Sequence, residues 1–278
     1  MMNTDQFAHN GFYHMLALDH SGSFCKMLNP KDPDGVSAVE IMQTKKEIMG
    51  VVSQDITGIL LDNDHGLAAY NELKDEGAQV PSLMLRLTKQ SYVEEAGELL
   101  NEVYYKGREL KLAGAGAAKL LFNFNPYASV AERQIETARN AMRDAHENGL
   151  AFLLEPVTYD VPESKGKDKG TLILESIQML KDHGVAPDLW KVEYPGNALY
   201  CEQLNHLADG VPWVLLTRGT KFDQFADYLE TACENGCQGF LAGRALWQEL
   251  GSLKGEGRER FLKKTLPERL KKVNTIAS

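Results

Sequence analysis

A lysine and a glutamate lie two residues apart in residues 188–195, which read Asp-Leu-Trp-Lys-Val-Glu-Tyr-Pro. The rest of this run is typical of a buried β-strand. Because side chains alternate between the two faces of a strand, Lys191 and Glu193 are expected to share one face. Such a pair is more often a structural ion pair than a site when it stands alone. Charged residues inside a protein are costly, however, unless they pair or take part in chemistry.

A second lysine makes the chemical interpretation stronger. Lys119 lies within another short apolar run, and Glu155 and Asp19 stand near the ends of two more. A neighbouring cation and partial burial lower the pKa of a lysine, which leaves part of it as free amine at neutral pH. A free amine is the nucleophile that Schiff-base formation requires. If these strand ends meet, Lys119 and Lys191 predict imine chemistry with carboxylates beside it.

The elements that would position these residues follow a regular alternation. Eight short apolar runs occupy residues 14–20, 57–62, 82–87, 117–123, 151–156, 188–195, 213–217 and 239–243. Segments with helical periodicity lie at 38–54, 65–76, 93–112, 129–148, 171–183, 198–208, 221–235 and 245–253. Continuous apolar runs indicate parallel strands buried on both faces, so the pattern predicts an α/β fold, a (β/α)8 TIM barrel. The rival is a doubly wound open sheet, but no Gly-x-Gly-x-x-Gly motif follows the first strand.

Length and composition limit the remaining possibilities. We expect residues 1–278 to form a single barrel domain, with 254–278 as a peripheral C-terminal helix or tail. The net charge of −9 argues against nucleic acid and anionic membranes as partners. The chain has no apolar run long enough to cross a bilayer, and its polar N-terminus resembles no signal peptide. Four scattered cysteines indicate a reduced, cytoplasmic setting.

The loops after the last two strands predict a phosphate site. They read Thr217-Arg218-Gly219-Thr220 and Gly243-Arg244. In barrels of this kind these two loops commonly bind phosphate. Glycines let the main chain approach an anion, and an arginine binds it through two parallel hydrogen bonds.

Five motifs together resemble a known family. They are Ala17-Leu-Asp-His20, Ala118-Lys-Leu-Leu121, Phe152-Leu-Leu-Glu-Pro-Val-Thr-Tyr-Asp160, Asp188-Leu-Trp-Lys-Val-Glu193 and Ala242-Gly-Arg-Ala-Leu-Trp247. In this order they resemble the class I tagatose-1,6-bisphosphate aldolases. That family also includes sulfofructose-1-phosphate aldolases and the aldolase-like domain of some inositol-catabolism kinases.

The resemblance implies a barrel that needs no metal and no cofactor other than a covalent imine. It assigns imine formation to Lys191 and acid/base catalysis to Glu155, with Lys119 and Asp19 as a charged pair around the carbinolamine. It places a substrate phosphate near Thr217, Gly219, Gly243 and Arg244. The further candidates for substrate contact are His20, Ser21, Ser23, Arg86, Glu193 and Arg218. A homo-oligomer, either a dimer or a tetramer, is also expected from the family.

The chain departs from the family after its first strand. Many of the bisphosphate aldolases read Asp-Gln-Arg-Gly there, whereas this chain reads Asp19-His-Ser-Gly22. Because this arginine is missing, the sequence leaves open which group C6 of the substrate carries. The candidates are phosphate, sulfonate and carboxylate. The Asp-His form is closer to the inositol-pathway domain, whose substrate would be 5-dehydro-2-deoxygluconate 6-phosphate.

The leading hypothesis is a class I aldolase that cleaves a phosphorylated ketose to dihydroxyacetone phosphate and an aldehyde. A 5-dehydro-2-deoxyphosphogluconate aldolase is the nearest alternative. Two further hypotheses belong to other classes. One is metal-assisted chemistry with Mg²⁺ held by Asp19, Asp62, Glu155 and Glu193. The other is a sugar-phosphate-binding barrel without catalysis.

Overall fold

The computed structural model describes residues 2–89, 92–95 and 97–278. Its strands are β1 Tyr13–Leu18, β2 Gly58–Leu61, β3 Ser82–Arg86, β4 Val93–Glu95, β5 Glu98–Leu100, β6 Ala117–Asn123, β7 Ala151–Val157, β8 Leu189–Val192, β9 Trp213–Leu215 and β10 Gly239–Ala242. Eight of them close a barrel in the order β1-β10-β9-β8-β7-β6-β3-β2. All neighbours in this barrel run parallel. The predicted (β/α)8 barrel is confirmed, and the open-sheet alternative is wrong.

The α-helices lie mostly between successive barrel strands. They are α1 Gly22–Leu28, α2 Ala38–Val52, α3 His65–Asp75, α4 Gly107–Leu112, α5 Ala131–Glu147, α6 Lys169–Asp182, α7 Ala198–Ala208, α8 Phe222–Glu234, α9 Arg244–Trp247, α10 Gly255–Arg260 and α11 Leu266–Ile276. The segment after 254, expected to be a peripheral helix or tail, is helical, and the buried Leu266, Leu270 and Val273 of α11 join the core outside the barrel. No helix in the described ranges has both the length and the apolarity of a membrane span.

The helix predicted over residues 93–112 is wrong for most of its length. Strands β4 and β5 form an antiparallel hairpin instead, and only α4 is helical. Gly97 takes a positive φ of 85°, which favours a tight turn over a helix. The predicted segment includes Ala96, which lies outside the described residues. The hairpin occupies the connection between β3 and β6.

The barrel interior explains why charged residues converge at one end. Its lower layers are apolar and include Met15 of β1, Met84 of β3, Ala117 of β6 and Leu189 of β8. Side chains two positions further along a strand point to the same face. The next inward positions on β3, β6 and β8 are therefore Arg86, Lys119 and Lys191, and Glu155 lies two positions beyond the buried Leu153 of β7. Asp19 follows the last residue of β1. The sequence places an apolar floor directly beneath these groups.

A buried ion pair fixes the loops after β1 and β2. The ammonium group of Lys45, on α2, donates to the carbonyl oxygens of Leu18 and His20, each at 2.9 Å, and pairs with the carboxylate of Asp62. Asp62 also accepts hydrogen bonds from the main-chain N–H groups of residues 64–66, at the start of α3. Both side chains are buried. Lys45 therefore holds the loop that carries Asp19 and His20.

We predict that replacing Lys45 with Met destabilises the fold, because it leaves Asp62 buried without its cation. Breaking one partner of a buried pair costs about 3–5 kcal/mol. Urea unfolding measures this change in the free energy of unfolding. The neighbouring Lys46 pairs with the more exposed Glu72 and Glu76 and provides a matched control. Its replacement by Met is expected to cost less than about 1 kcal/mol; an equal loss in both variants contradicts the role given to Lys45.

Candidate active site

A cavity of about 600 Å³ opens at the carboxyl ends of the barrel strands. It brings together twelve of the fourteen residues predicted to form the site. These are Asp19, His20, Ser21, Ser23, Arg86, Lys119, Glu155, Lys191, Thr217, Arg218, Gly243 and Arg244. The strand ends that supply them are far apart in the chain, and closure of the barrel makes them neighbours.

Four charged side chains form a continuous chain of contacts across the cavity floor. The Lys191 amine lies 3.0 Å from one carboxylate oxygen of Glu155. The Lys119 amine lies 2.5 Å from the other oxygen of Glu155 and 3.0 Å from the carboxylate of Asp19. All four residues are buried, with exposed fractions of 3–8%. Positive and negative groups alternate, so each buried charge has at least one opposite charge in contact.

The two lysines differ in their electrostatic surroundings. Burial lowers the pKa of Lys191; contact with Glu155 opposes this shift, while the charge of Lys119 adds to it. Burial also disfavours the charge on Lys119, but its two carboxylates, Asp19 and Glu155, outweigh burial and raise the pKa of Lys119. Lys191 is therefore the lysine that loses its proton more readily, and Lys119 is the one that remains an ammonium group.

The two carboxylates stay ionised despite their burial. Burial would raise the pKa of Glu155, but Lys119 and then Lys191 outweigh it and lower that pKa. Burial likewise acts against the charge on Asp19, and Lys119 again outweighs it, so the pKa of Asp19 lies well below its usual range. Glu155 touches both amines and is the carboxylate placed to move protons at Lys191.

His20 is held as a neutral imidazole at the wall of the cavity. Its ring packs edge-on against Trp247, with 5.1 Å between ring centroids. Burial lowers the pKa of His20 to about 3, although Asp19 opposes the shift. A neutral His20 can hydrogen-bond a substrate hydroxyl, but it adds no charge to the cavity at neutral pH.

The two glycine loops, predicted to bind phosphate, both line the cavity. Arg218 and Gly219 both have positive φ, 44° and 78°. A Cβ at Gly219 would lie 3.2 Å from the guanidinium carbon of Arg244, so this glycine gives Arg244 its room. The Nε of Arg244 is buried and has no hydrogen-bond partner among the described residues. Arg244 is therefore available to an anion.

Glu193, predicted to contact the substrate, does not line the cavity. Strand β8 ends at Val192, so the alternation expected between Lys191 and Glu193 does not continue. The Glu193 carboxylate accepts from the main-chain N–H of Thr158 and forms ion pairs with Arg218 at 2.6 Å and Lys169 at 2.8 Å. It holds Arg218 in place rather than a ligand.

Two further candidate residues lie outside the cavity. Gly219 does not line the cavity itself but packs beneath Arg244. Asp62 also lies outside the cavity, in its pair with Lys45. Asp19, Glu155, Asp62 and Glu193 therefore do not converge, as a shared magnesium site would require.

Sequence reasoning missed several residues at the cavity. Thr88, Lys89 and Tyr92 line it, between the strand predicted over 82–87 and the helix predicted over 93–112. Lys45 was missed because it lies in mid-helix, where a lysine is usually solvated. Its position on the helix face that buries Ile41, Ile48 and Met49 was the available signal.

Curated relatives match most of the chain. A tagatose 1,6-diphosphate aldolase of Staphylococcus epidermidis is 26% identical over 268 residues, covering 85% of this chain and 81% of that protein. The enzyme of the same name from Staphylococcus aureus is 27% identical over 276 residues, covering 87% of this chain and 83% of that protein.

Solved structures share the fold at lower identity. A Schiff-base-forming fructose-1,6-bisphosphate aldolase has a TM-score of 0.63 at 19% identity, with 95% of this chain and 96% of that chain covered. A fructose-bisphosphate aldolase of Plasmodium falciparum has a TM-score of 0.69 at 14% identity, with 98% and 92% covered. The family model of the DeoC/LacD aldolases matches residues 14–249. This range includes all four charged residues of the cavity floor. This chain belongs to the DeoC/LacD family of aldolases.

Proposed function

We propose that this protein is a class I aldolase that cleaves a phosphorylated ketose through a Schiff base on Lys191. The observation that carries the proposal is the contact chain from Asp19 through Lys119 and Glu155 to Lys191. It provides one amine with a lowered pKa, one fixed ammonium group and a carboxylate between them. Membership of an aldolase family supports the reaction type.

The contact chain suggests a role for each of its side chains. The free amine of Lys191 attacks the C2 carbonyl of the ketose to form a carbinolamine. The carbinolamine oxygen takes up one proton from solvent. Glu155 moves the proton released from the nitrogen to the same oxygen, so that water leaves and an iminium ion forms. The iminium accepts the electron pair of the C3–C4 bond as that bond breaks, while Glu155 takes the proton from the C4 hydroxyl. The aldehyde leaves, and an enamine remains on Lys191.

The second half of the reaction returns the enzyme to its starting state. The proton that Glu155 took from the C4 hydroxyl passes to C3 of the enamine and restores the iminium. Addition of water then releases dihydroxyacetone phosphate, the Lys191 amine and one proton to solvent. The ammonium group of Lys119 stabilises negative charge on the carbinolamine oxygen and on Glu155. The electron sink is the iminium itself, so the proposed reaction includes no metal or cofactor.

The substrate phosphate is assigned to the glycine loops. Arg244 is half-buried, its Nε has no partner among the described residues, and Gly219 leaves space for its guanidinium. Burial and the neighbouring Arg218 lower the pKa of Arg244, as expected for cations gathered without an anion. These contacts suit the phosphate next to C1 of the ketose.

The sugar is proposed from the relatives and from the loop after β1. The relatives are tagatose 1,6-diphosphate aldolases, which favours a ketose bisphosphate or a close analogue. The sequence Asp19-His20-Ser21-Gly22 favours a second candidate, 5-dehydro-2-deoxygluconate 6-phosphate. Both candidates pass through the same imine on Lys191.

We predict that borohydride reduction in the presence of dihydroxyacetone phosphate adds a reduced triose to the peptide that contains Lys191. Peptide mass mapping measures the adduct. Lys191→Ala is expected to lose both the adduct and turnover while its circular dichroism spectrum is unchanged, because the nucleophile alone is removed. Lys46→Met, at a surface lysine on α2, is the control and is expected to retain the adduct. An adduct on the Lys119 peptide, or none at all, contradicts the assignment.

We predict that imine formation speeds up with increasing pH through a pKa below 10.5, the ordinary value for lysine, since only the free amine of Lys191 reacts. The rate of borohydride trapping at saturating dihydroxyacetone phosphate, followed as a function of pH, measures this increase. Lys119→Met removes a positive charge that favours deprotonation of Lys191. The increase in the rate of imine formation is therefore expected to shift to higher pH in this variant. An unchanged or lower apparent pKa in this variant excludes the proposed coupling.

We predict that Glu155→Gln lowers kcat by about 10²–10⁴-fold, the usual contribution of a general acid–base group. The amide keeps the shape of the side chain but cannot exchange the proton. Steady-state kinetics of ketose cleavage measure the loss. Glu193→Gln changes a buried carboxylate outside the cavity and is the matched comparison; its smaller effect is expected mainly in KM, through Arg218. Equal losses of kcat in the two variants argue against Glu155 as the proton carrier.

A further inference from the structure

Two cysteines that take no part in the proposed reaction flank the turn that leads into β10. Cys233 is in the last turn of α8, and Cys237 stands two residues before β10 begins at Gly239. The segment between the two cysteines reads Glu-Asn-Gly. Both are free thiols. The chain therefore carries a pair of reduced sulfurs at the end of one helix.

The main chain of the turn brings the two cysteines together. The N–H of Cys237 donates to the carbonyl oxygen of Ala232 at 3.0 Å. The N–H of Gly236 donates to the carbonyl oxygen of Cys233 at 3.3 Å, and Gly236 has a positive φ of 97°. These two bonds form the Schellman motif that ends many helices. In this motif the residue after the glycine folds back onto the last helical turn, so Cys237 lies against Cys233.

The two thiols are in contact but differ in their exposure to solvent. Each is the side-chain hydrogen-bond partner of the other. Cys237 is buried, with 3% of its surface exposed, and its sulfur lies 3.1 Å from the carbonyl oxygen of Gly239. Cys233 is only partly buried. A small oxidant in solvent therefore reaches Cys233 before it reaches Cys237.

The contact also makes Cys233 the more acidic of the two thiols. The hydrogen bond with Cys237 lowers the pKa of Cys233; burial opposes this shift, and a hydrogen bond with the main chain of Gly239 adds to it. Burial raises the pKa of Cys237 well above its ordinary value, and the neighbouring Cys233 raises it further. Cysteines that sense peroxide are accessible, form the thiolate readily and have a second thiol beside them. Cys233 meets all three conditions.

The other two cysteines of the chain meet fewer of these conditions. Cys201 of α7 is near Cys233, but it is fully buried, and burial raises its pKa to about 11. Cys25 of α1 is partly exposed, as Cys233 is, but burial raises its pKa. Cys25 and Cys201 therefore serve as internal references for exposure and for proximity.

We propose that Cys233 and Cys237 form a reversible oxidation site, which a hydroperoxide converts to a disulfide. The thiolate of Cys233 attacks one peroxide oxygen, the O–O bond breaks, and Cys233 becomes a sulfenic acid. The thiol of Cys237 then attacks the sulfur of Cys233. An S–S bond forms, and the hydroxyl group takes the proton of Cys237 and leaves as water. In total, two thiols and one hydrogen peroxide give one disulfide and two molecules of water.

The disulfide protects Cys233, because a sulfenic acid without a resolving thiol is oxidised further to a sulfinic acid. The site is also separate from the aldolase cavity. It lies at the amino end of β10, whereas the cavity lies at the carboxyl ends of the strands. The proposal therefore holds whether or not the protein cleaves a ketose.

Peroxide treatment of the native protein, followed by tryptic mass mapping, tests the site. Residues 222–244 form one tryptic peptide, which contains both Cys233 and Cys237. Hydrogen peroxide is expected to lower its mass by two hydrogen atoms, and dithiothreitol is expected to restore it. Cys25 is expected to remain a thiol at the same dose. Absence of this mass loss, a cross-link to the peptide containing Cys201, or equal oxidation of Cys25 and Cys233 overturns the proposal.

Serine variants separate the roles of the thiols. Cys237→Ser is expected to collect sulfinic acid at Cys233, which dithiothreitol does not reverse, because the resolving thiol is gone. Cys201→Ser is the matched control, a buried cysteine of the same region, and is expected to form the disulfide as the unaltered protein does. A Cys237→Ser variant in which Cys233 stays a thiol, or a Cys201→Ser variant without the disulfide, contradicts the assigned roles.

Treatment in urea tests whether the folded turn causes the selectivity. The unaltered protein needs no substitution for this comparison. Unfolding removes the contact between the thiols, so Cys25 and Cys233 are expected to be oxidised at similar rates in urea. A preference for Cys233 over Cys25 that persists in urea would come from the local sequence and would overturn the role of the fold.

Discussion

Four buried charges must share a small space at the floor of the cavity, and much of the molecule serves that constraint. Asp19, Lys119, Glu155 and Lys191 alternate in sign, so each charge lost from water is compensated by a contact with the next. None of the four is positioned by a flexible surface loop alone. Three stand on barrel strands, and the loop carrying Asp19 is held by the Lys45–Asp62 pair.

This arrangement separates two lysines that are chemically identical in the unfolded chain. Lys119 touches two carboxylates, whereas Lys191 touches one. The difference of a single contact directs their pKa values in opposite directions. One residue becomes the nucleophile, and the other becomes a permanent positive charge beside it. Two lysines thus take different roles because their surroundings in the barrel differ.

Much of this could be predicted from the sequence, because barrel strands and their terminal charges leave a local signal. The alternation of apolar runs and helical segments predicted eight strands, and period-2 alternation within strands places Lys119, Glu155 and Lys191 inward. The same rule failed for Glu193, since this residue follows the end of its strand and pairs with Arg218 and Lys169. The hairpin that replaces the predicted helix depends on one glycine turn within a segment of mixed propensity.

The central claim is the opposite protonation preference of the two lysines, and NMR of protein labelled with ¹⁵N at the lysine side chains measures it directly. Lys119→Met and Lys191→Met variants assign the two signals, and a pH titration follows each amine. The account predicts that Lys191 loses its proton at a lower pH than an ordinary lysine, while Lys119 stays protonated above that range. Coincident titration of the two signals, or deprotonation of Lys119 first, would contradict it.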